Sequence, residues 1–209
     1  MKLSSESFKN GSAIPGRCAF AVPEVKSHIK LSENKNPQLV WSGLPAGTKS
    51  LVLLCHDYDV PSKPDDVNKE GRQVPATLKR VDFFHWLLID LAPSGGPIHE
   101  GEFSSGVTAR GKSGPEAPRG ARQGINDYTS WFASDKDMAG NYFGYDGPCP
   151  PWNDSIVHHY VLTLHALDLA RCPVQGAFKA PEVLAAINGH VLGSAKLTGL
   201  YALNPAVKY

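Results

Sequence analysis

Gly147-Pro148-Cys149-Pro150-Pro151-Trp152-Asn153-Asp154 leads, after a short link, into His158-His159-Tyr160-Val161-Leu162-Thr163-Leu164-His165-Ala166-Leu167. The second half is a short apolar run enriched in aromatic and β-branched residues, and it predicts a buried strand. Side chains alternate between the faces of a strand, so His158 and Tyr160 share one face. The first half carries Pro148, Pro150 and Pro151 in close succession. Such a segment is rigid and keeps its shape with few neighbours. A stiff loop therefore delivers a histidine and a phenol to one end of a buried strand.

Two more runs of the same kind lie upstream: Leu51-Val52-Leu53-Leu54-Cys55 and Phe83-Phe84-His85-Trp86-Leu87-Leu88-Ile89. Each of the three is closed by a proline: Pro61, Pro93 and Pro173. Residues 38–42 form a weaker strand candidate, and 195–203 a final one. Pro181 through Gly189 reads as a short helix, with proline in its first turn and Asn188-Gly189 at its C-cap. Residues 92–157 differ: they hold eleven of the twenty glycines but are studded with Tyr128, Trp131, Phe132, Tyr142, Phe143, Tyr145 and Trp152. Disordered linkers are poor in aromatics, so this is expected to be an ordered excursion packed over the sheet. No repeat and no linker divides the chain, which predicts one domain over 1–209.

Composition narrows the function classes. Hydrophobic residues make up 42% and charged residues 20% of the 209, the balance of a globular domain that buries a core. Lys+Arg 21 against Asp+Glu 20 gives a net charge of +1, which removes the electrostatic argument for nucleic acid or an anionic membrane surface. No apolar run approaches the length of a transmembrane span. The first residues show no apolar signal region, and Cys18, Cys55, Cys149 and Cys172 are scattered, without a C-x-x-C pair. Free thiols in a reducing cytoplasm are the expectation. The 20 glycines and 17 prolines favour a loop-rich, strand-built protein.

Two motifs invite a cofactor reading and fail it. Gly106-Val107-Thr108-Ala109-Arg110-Gly111-Lys112-Ser113 fits the phosphate-loop pattern letter for letter, but no buried strand precedes it. Pro115 and Pro118 forbid a regular helix after it. Asp135-Lys136-Asp137-Met138-Ala139-Gly140 opens like a calcium loop, with Asp146 at the twelfth place. Its fifth place is Ala139, its twelfth an aspartate rather than glutamate, and no helices flank it. No G-x-S-x-G or H-E-x-x-H occurs. No cofactor and no metal are expected.

Asp57-Tyr58-Asp59-Val60-Pro61-Ser62 directly follows the first run, and in extended chain Asp57 and Asp59 point to one side. By themselves they read equally as a solvated turn that caps its own backbone. His85, alone in its strand, reads equally as a satisfied core residue. The order of these segments is more specific. Asp57-Tyr58-Asp59-Val60-Pro61, then Phe84-His85-Trp86, then Gly147-Pro148-Cys149-Pro150-Pro151 leading to His158-His159-Tyr160 resembles the phosphatidylethanolamine-binding, or Raf-kinase-inhibitor-like, family. The bacterial and archaeal branch is closest, and the likeness covers nearly the whole chain.

The resemblance implies a mainly β fold, with a large antiparallel sheet packed on a smaller one and a few short helices. It implies a pocket for phosphate or a phosphorylated headgroup. Carried over by position, Asp57, Asp59, Pro61, His85, Cys149, Pro150, Pro151, His158 and Tyr160 would line it, with a cis peptide before Pro61. Tyr58 stands where the family has proline and His159 where it has arginine. Residues 63–80 are an insertion beside the pocket relative to animal members, so their kinase-inhibiting role is not transferred. The expected function is a non-enzymatic binding protein for a small anion, able to regulate a protein partner, with a homodimer left open. The alternatives are a kinase- or protease-inhibitor module, or a hydrolase using His85 or His158 as base, for which no activated nucleophile is identifiable.

Overall fold

Leu51-Val52-Leu53-Leu54-Cys55 is buried on both sides because its neighbours alternate between two cores. Leu51, Leu53 and Cys55 join Trp86, Leu88, Leu162 and Leu164 on one face of a sheet, and Val52 and Leu54 join Leu87, Ile89, Phe178 and Val183 on the other. That is why the run reads as continuously apolar. The computed structural model describes residues 1–209.

In chain order the strands are β1 (Lys2–Ser4), β2 (Ser12–Ala13), β3 (Ala21–Glu24), β4 (His28–Leu31), β5 (Val40–Ser42), β6 (Ser50–Pro61), β7 (Arg80–Leu91), β8 (Arg122–Gln123), β9 (His158–Leu167) and β10 (Val191–Tyr201). The helices are α1 (Tyr128–Trp131) and α2 (Ala180–Ile187). Six strands form the large sheet in the order β2-β10-β9-β6-β7-β8. All its pairs are antiparallel except β2–β10, which is parallel. The smaller layer is not one sheet but two separate ribbons, β1–β5 and β3–β4. The protein is mainly β, with few helices, as its sequence predicts.

The three apolar runs become β6, β7 and β9, each longer than its apolar stretch. Hydrogen bonding carries the ladder past the last buried side chain. α2 covers the second face through Ala180, Val183 and Ile187. Glu182 accepts the Lys179 N–H at 2.8 Å and so caps the first turn. The helix stops at Asn188, and Gly189 follows at φ +82°. β1–β4 and β8 have too few residues for periodicity to show. The 92–157 excursion is ordered, and it sends Ile98, Phe103 and Tyr145 into the first core around Trp86. No helix is long and apolar enough to cross a membrane.

Candidate functional site

The site begins with a counting error in the ladder. Cys55 pairs with Trp86, but the next residue, His56, pairs with Phe84. His85 is therefore an extra residue in β7, a β-bulge. Strict alternation would send His85 to the face opposite Trp86. The bulge instead turns it to the same side as Phe83, where both line a cleft. A second irregularity follows between Asp57 and Val60, this time with the extra residue on β6, and it returns the ladder to its earlier register. Asp57 stays on the cleft side. Asp59 does not: its Oδ2 accepts from the backbone N–H of His159 at 2.9 Å and meets His159 Nδ1 at 2.8 Å. The two aspartates are thus separated, contrary to the same-side expectation, because the bulge breaks the alternation. The peptide before Pro61 is not cis either; the cis bonds are Gly96–Pro97 and Gly114–Pro115. Pro61 continues β6 as extended chain opposite Arg80.

His85 is held from behind by a buried carboxylate. Its Nδ1 donates to the Asp146 carbonyl at 2.8 Å, and the Asp146 N–H donates to the His85 carbonyl at 3.0 Å. The Asp146 side chain accepts from Asn34 and Asn126, both at 2.8 Å, and from Lys112 Nζ at 2.6 Å. Burial raises the pKa of Asp146, and Lys112 opposes that rise. Both misleading motifs end here. The lysine of the phosphate-loop-like segment and the twelfth residue of the calcium-loop-like segment are partners in one buried ion pair. Gly111 leaves no room for phosphates: at φ +84°, an added Cβ would sit 2.1 Å from the Asn141 carbonyl oxygen.

His158 belongs to a different network. Its Nδ1 meets Asp57 Oδ2 at 2.6 Å and its Nε2 meets Asp154 Oδ2 at 3.1 Å. Arg80 grips both oxygens of Asp154, at 2.6 and 3.0 Å. Asp57 also accepts the Asp59 N–H at 2.7 Å. Burial would lower the His158 pKa, but the hydrogen bonds and charges of Asp154 and Asp57 outweigh it and hold the pKa at about 9. Burial would raise Asp154; the hydrogen bonds from His158 and Arg80 keep it below its ordinary value. His85 has no such partners, and burial lowers it to about 4.

These residues form the floor of a cleft of about 710 Å³. Asp57, Pro61, His85, Cys149, Pro150, Pro151, His158 and Tyr160 all line it; Asp59 does not. Tyr160 pairs with Asp57 across β6–β9, and burial holds its phenol well above the ordinary pKa. His85 Nε2 and the Tyr160 hydroxyl are buried with no partner in the protein. Their rings meet edge to face at 5.0 Å. Burial pushes the Cys149 thiol up to about 12, so it is a wall group rather than a nucleophile. The proline wall is set by Gly147, where a Cβ would fall 2.1 Å from the Cys18 carbonyl oxygen. Only glycine allows the loop to approach residues 16–21 so closely.

Sequence reasoning missed several positioning residues. Arg80, Asp146 and Lys112 work from outside the recognised segments. Asn153 ties down the 63–73 part of the insertion: its amide donates to the carbonyls of Asp66 and Arg72 at 2.8 and 3.0 Å, and its oxygen accepts the Asn68 N–H at 3.0 Å. That loop supplies Lys63, Pro64 and Val67 to one side of the cleft. Asp127 docks α1 on the bulge, accepting the Phe84 N–H at 2.7 Å and donating its own to the Phe84 carbonyl at 2.9 Å. Asn153 stands in the proline segment and could have been flagged as a loop anchor; the others carry no local signal.

Comparison with known proteins agrees with this geometry. A family model described as phosphatidylethanolamine-binding protein matches residues 4–202. A UPF0098 protein of Methanothermobacter thermautotrophicus is 33% identical over 201 residues, 96% of this chain and 98% of that protein. The UPF0098 protein YbhB of Escherichia coli is 28% identical, covering 97% of this chain and all of its own length. Among solved structures, a homologue from Chlamydia trachomatis superposes with a TM-score of 0.64 at 25% identity, over 96% of this chain and 95% of that one.

Proposed function

The chain belongs to the phosphatidylethanolamine-binding protein family, and from that membership we propose that it is a binding protein rather than an enzyme, holding a phosphate or phosphorylated headgroup at the floor of its cleft. Two polar atoms carry this reading: His85 Nε2 and the Tyr160 hydroxyl, buried side by side without partners. Buried polar atoms are nearly always hydrogen-bonded, so a pair left open in a cleft points to a ligand.

The chemistry of the pair specifies the ligand's protonation. Nδ1 of His85 donates to the Asp146 carbonyl, so Nε2 of the neutral ring is an acceptor. A monoprotonated phosphate supplies the matching donor through its P–OH, while Tyr160 donates to a phosphoryl oxygen. Alternatively His85 takes that proton and donates it back from Nε2. In both cases one proton lies between ring and phosphate, so affinity falls as pH rises. Lys63 at the rim adds a cation.

The same geometry argues against a hydrolase. Both nitrogens of His158 are engaged by carboxylates, leaving none to take a proton from a substrate. The test is an NMR titration of the His85 imidazole with inorganic phosphate and phosphorylethanolamine, repeated at pH 6 and 8. Saturable shifts, weaker at pH 8, are expected. A His85 signal unmoved by either compound would overturn the assignment.

A further inference from the structure

The cleft is much longer than its polar floor. From Tyr160 and His85 a run of rings leads outward: His85 lies edge-on to Tyr128 at 5.5 Å, Tyr128 stacks on Phe20 at 4.7 Å and on Phe132 at 5.6 Å. Beyond them Ile29, Met138 and the two rim residues Leu31 and Trp131 complete an apolar trough. Leu31 is 58% exposed and Trp131 48% exposed, large apolar side chains left in water on the rims of one cleft. Exposed apolar surface gathered around a cavity marks a place where something apolar binds. A bare phosphate would use only the floor.

We infer that the ligand is amphiphilic: a phosphomonoester whose phosphoryl group sits on His85 and Tyr160 and whose single alkyl chain or ring lies along the Phe20–Tyr128–Phe132 wall, between Leu31 and Trp131. This rests on the phosphoryl assignment at the floor and adds the part of the ligand that the floor does not contact. The trough is open at its rim, so it accepts chains of graded length. The 63–73 loop, pinned by Asn153, bounds the cleft on another side and limits its width.

The experiment is a titration of the intact protein with inorganic, methyl, butyl and hexyl phosphate, each dissolved as monomer. The His85 imidazole and the Trp131 indole N–H are followed by NMR. Affinity is expected to rise by roughly twofold to fourfold per added methylene while the chain lies on the wall. Trp131 should respond to butyl and hexyl phosphate but not to inorganic phosphate. Trp131→Ala and Leu31→Asn, both at exposed positions, should flatten the chain-length series and leave the affinity for inorganic phosphate unchanged. A His85 response with no chain-length dependence would overturn the apolar subsite alone, as would a gain with length that survives both rim variants. Silence at His85 across the whole series would remove the phosphoryl head, and both readings with it. A further arm presents hexadecyl phosphate in phosphatidylcholine vesicles. Co-sedimentation assigns the chemistry to a lipid surface, and binding of the dissolved esters alone assigns it to a free metabolite.

Discussion

Two histidines stand at the floor of one cleft, on adjacent elements of one sheet, and they do opposite work. His158 has every valence used: Asp57 on one nitrogen, Asp154 on the other, and Arg80 behind Asp154. His85 uses one nitrogen to lean on the Asp146 carbonyl and leaves the other open. Burial is the same for both, so burial alone does not distinguish a scaffold histidine from a ligand-facing one. The difference lies in where the surrounding carboxylates point. Around His158 they face the ring. At His85 the nearby carboxylate of Asp146 faces away, toward Lys112, Asn34 and Asn126, and only its backbone carbonyl meets the ring.

The sharpest way to break this comparison is to make one substitution at both positions. His158→Leu leaves Asp57 and Asp154 buried without their shared cation, and a loss of about 3–5 kcal/mol in urea denaturation is expected. The comparison fails if the loss is below about 1 kcal/mol.

The pH dependence of stability is the next largest effect, about 3 kcal/mol on each limb. His85 at about 4 binds fewer protons folded than unfolded, so between pH 4 and 6.5 stability rises with pH. His158 at about 9 binds more protons folded, so its contribution is complete below pH 6.5 and is lost as pH climbs to 9. A maximum near pH 6.5 is expected, and thermal melts across pH 4–9 would show it. His85→Leu should flatten the acid limb and His158→Leu the alkaline one; the reverse pattern would mean the two roles are exchanged.

Lys112→Met tests the network behind His85. It strands Asp146, whose oxygens keep only two amide donors, and about 2–3 kcal/mol should be lost, less than at His158 because Lys112 retains some exposure. Phosphate binding should weaken with it, since the backbone that orients His85 loosens. His85→Leu itself gives up one neutral hydrogen bond and should cost only about 1 kcal/mol. By calorimetry its phosphate affinity should nonetheless drop at least tenfold, and an unchanged affinity would remove His85 from the site.

The legible and illegible parts of the molecule divide along physical lines. β6, β7 and β9 could be read because both faces of the central strands are buried, which makes the sequence continuously apolar. Pro181 and Asn188-Gly189 marked α2 through local backbone chemistry. The segments that line the cleft were readable as motifs, but their roles were not. Asp57 and Asp59 look equivalent by alternation, and a bulge separates them. His85 looks like a core residue by alternation, and a bulge turns it to the cleft. Lys112 and Asp146 look like fragments of two ion-binding loops, and they meet only because the long excursion folds back on itself. Bulges and distant pairings leave no periodic trace in a single sequence.

The His85 bulge also bears on how such a site can be gained or lost. Removing His85 altogether, rather than replacing it, would leave Phe84 next to Trp86 and an unbroken ladder against His56 and Cys55. The sheet's pairing is complete without that residue. In genetic terms the ligand-facing histidine is a one-codon insert in a finished strand. An in-frame deletion of three nucleotides would therefore make the cleft floor silent while keeping the rest of the ladder in register, and the reverse insertion would restore its voice.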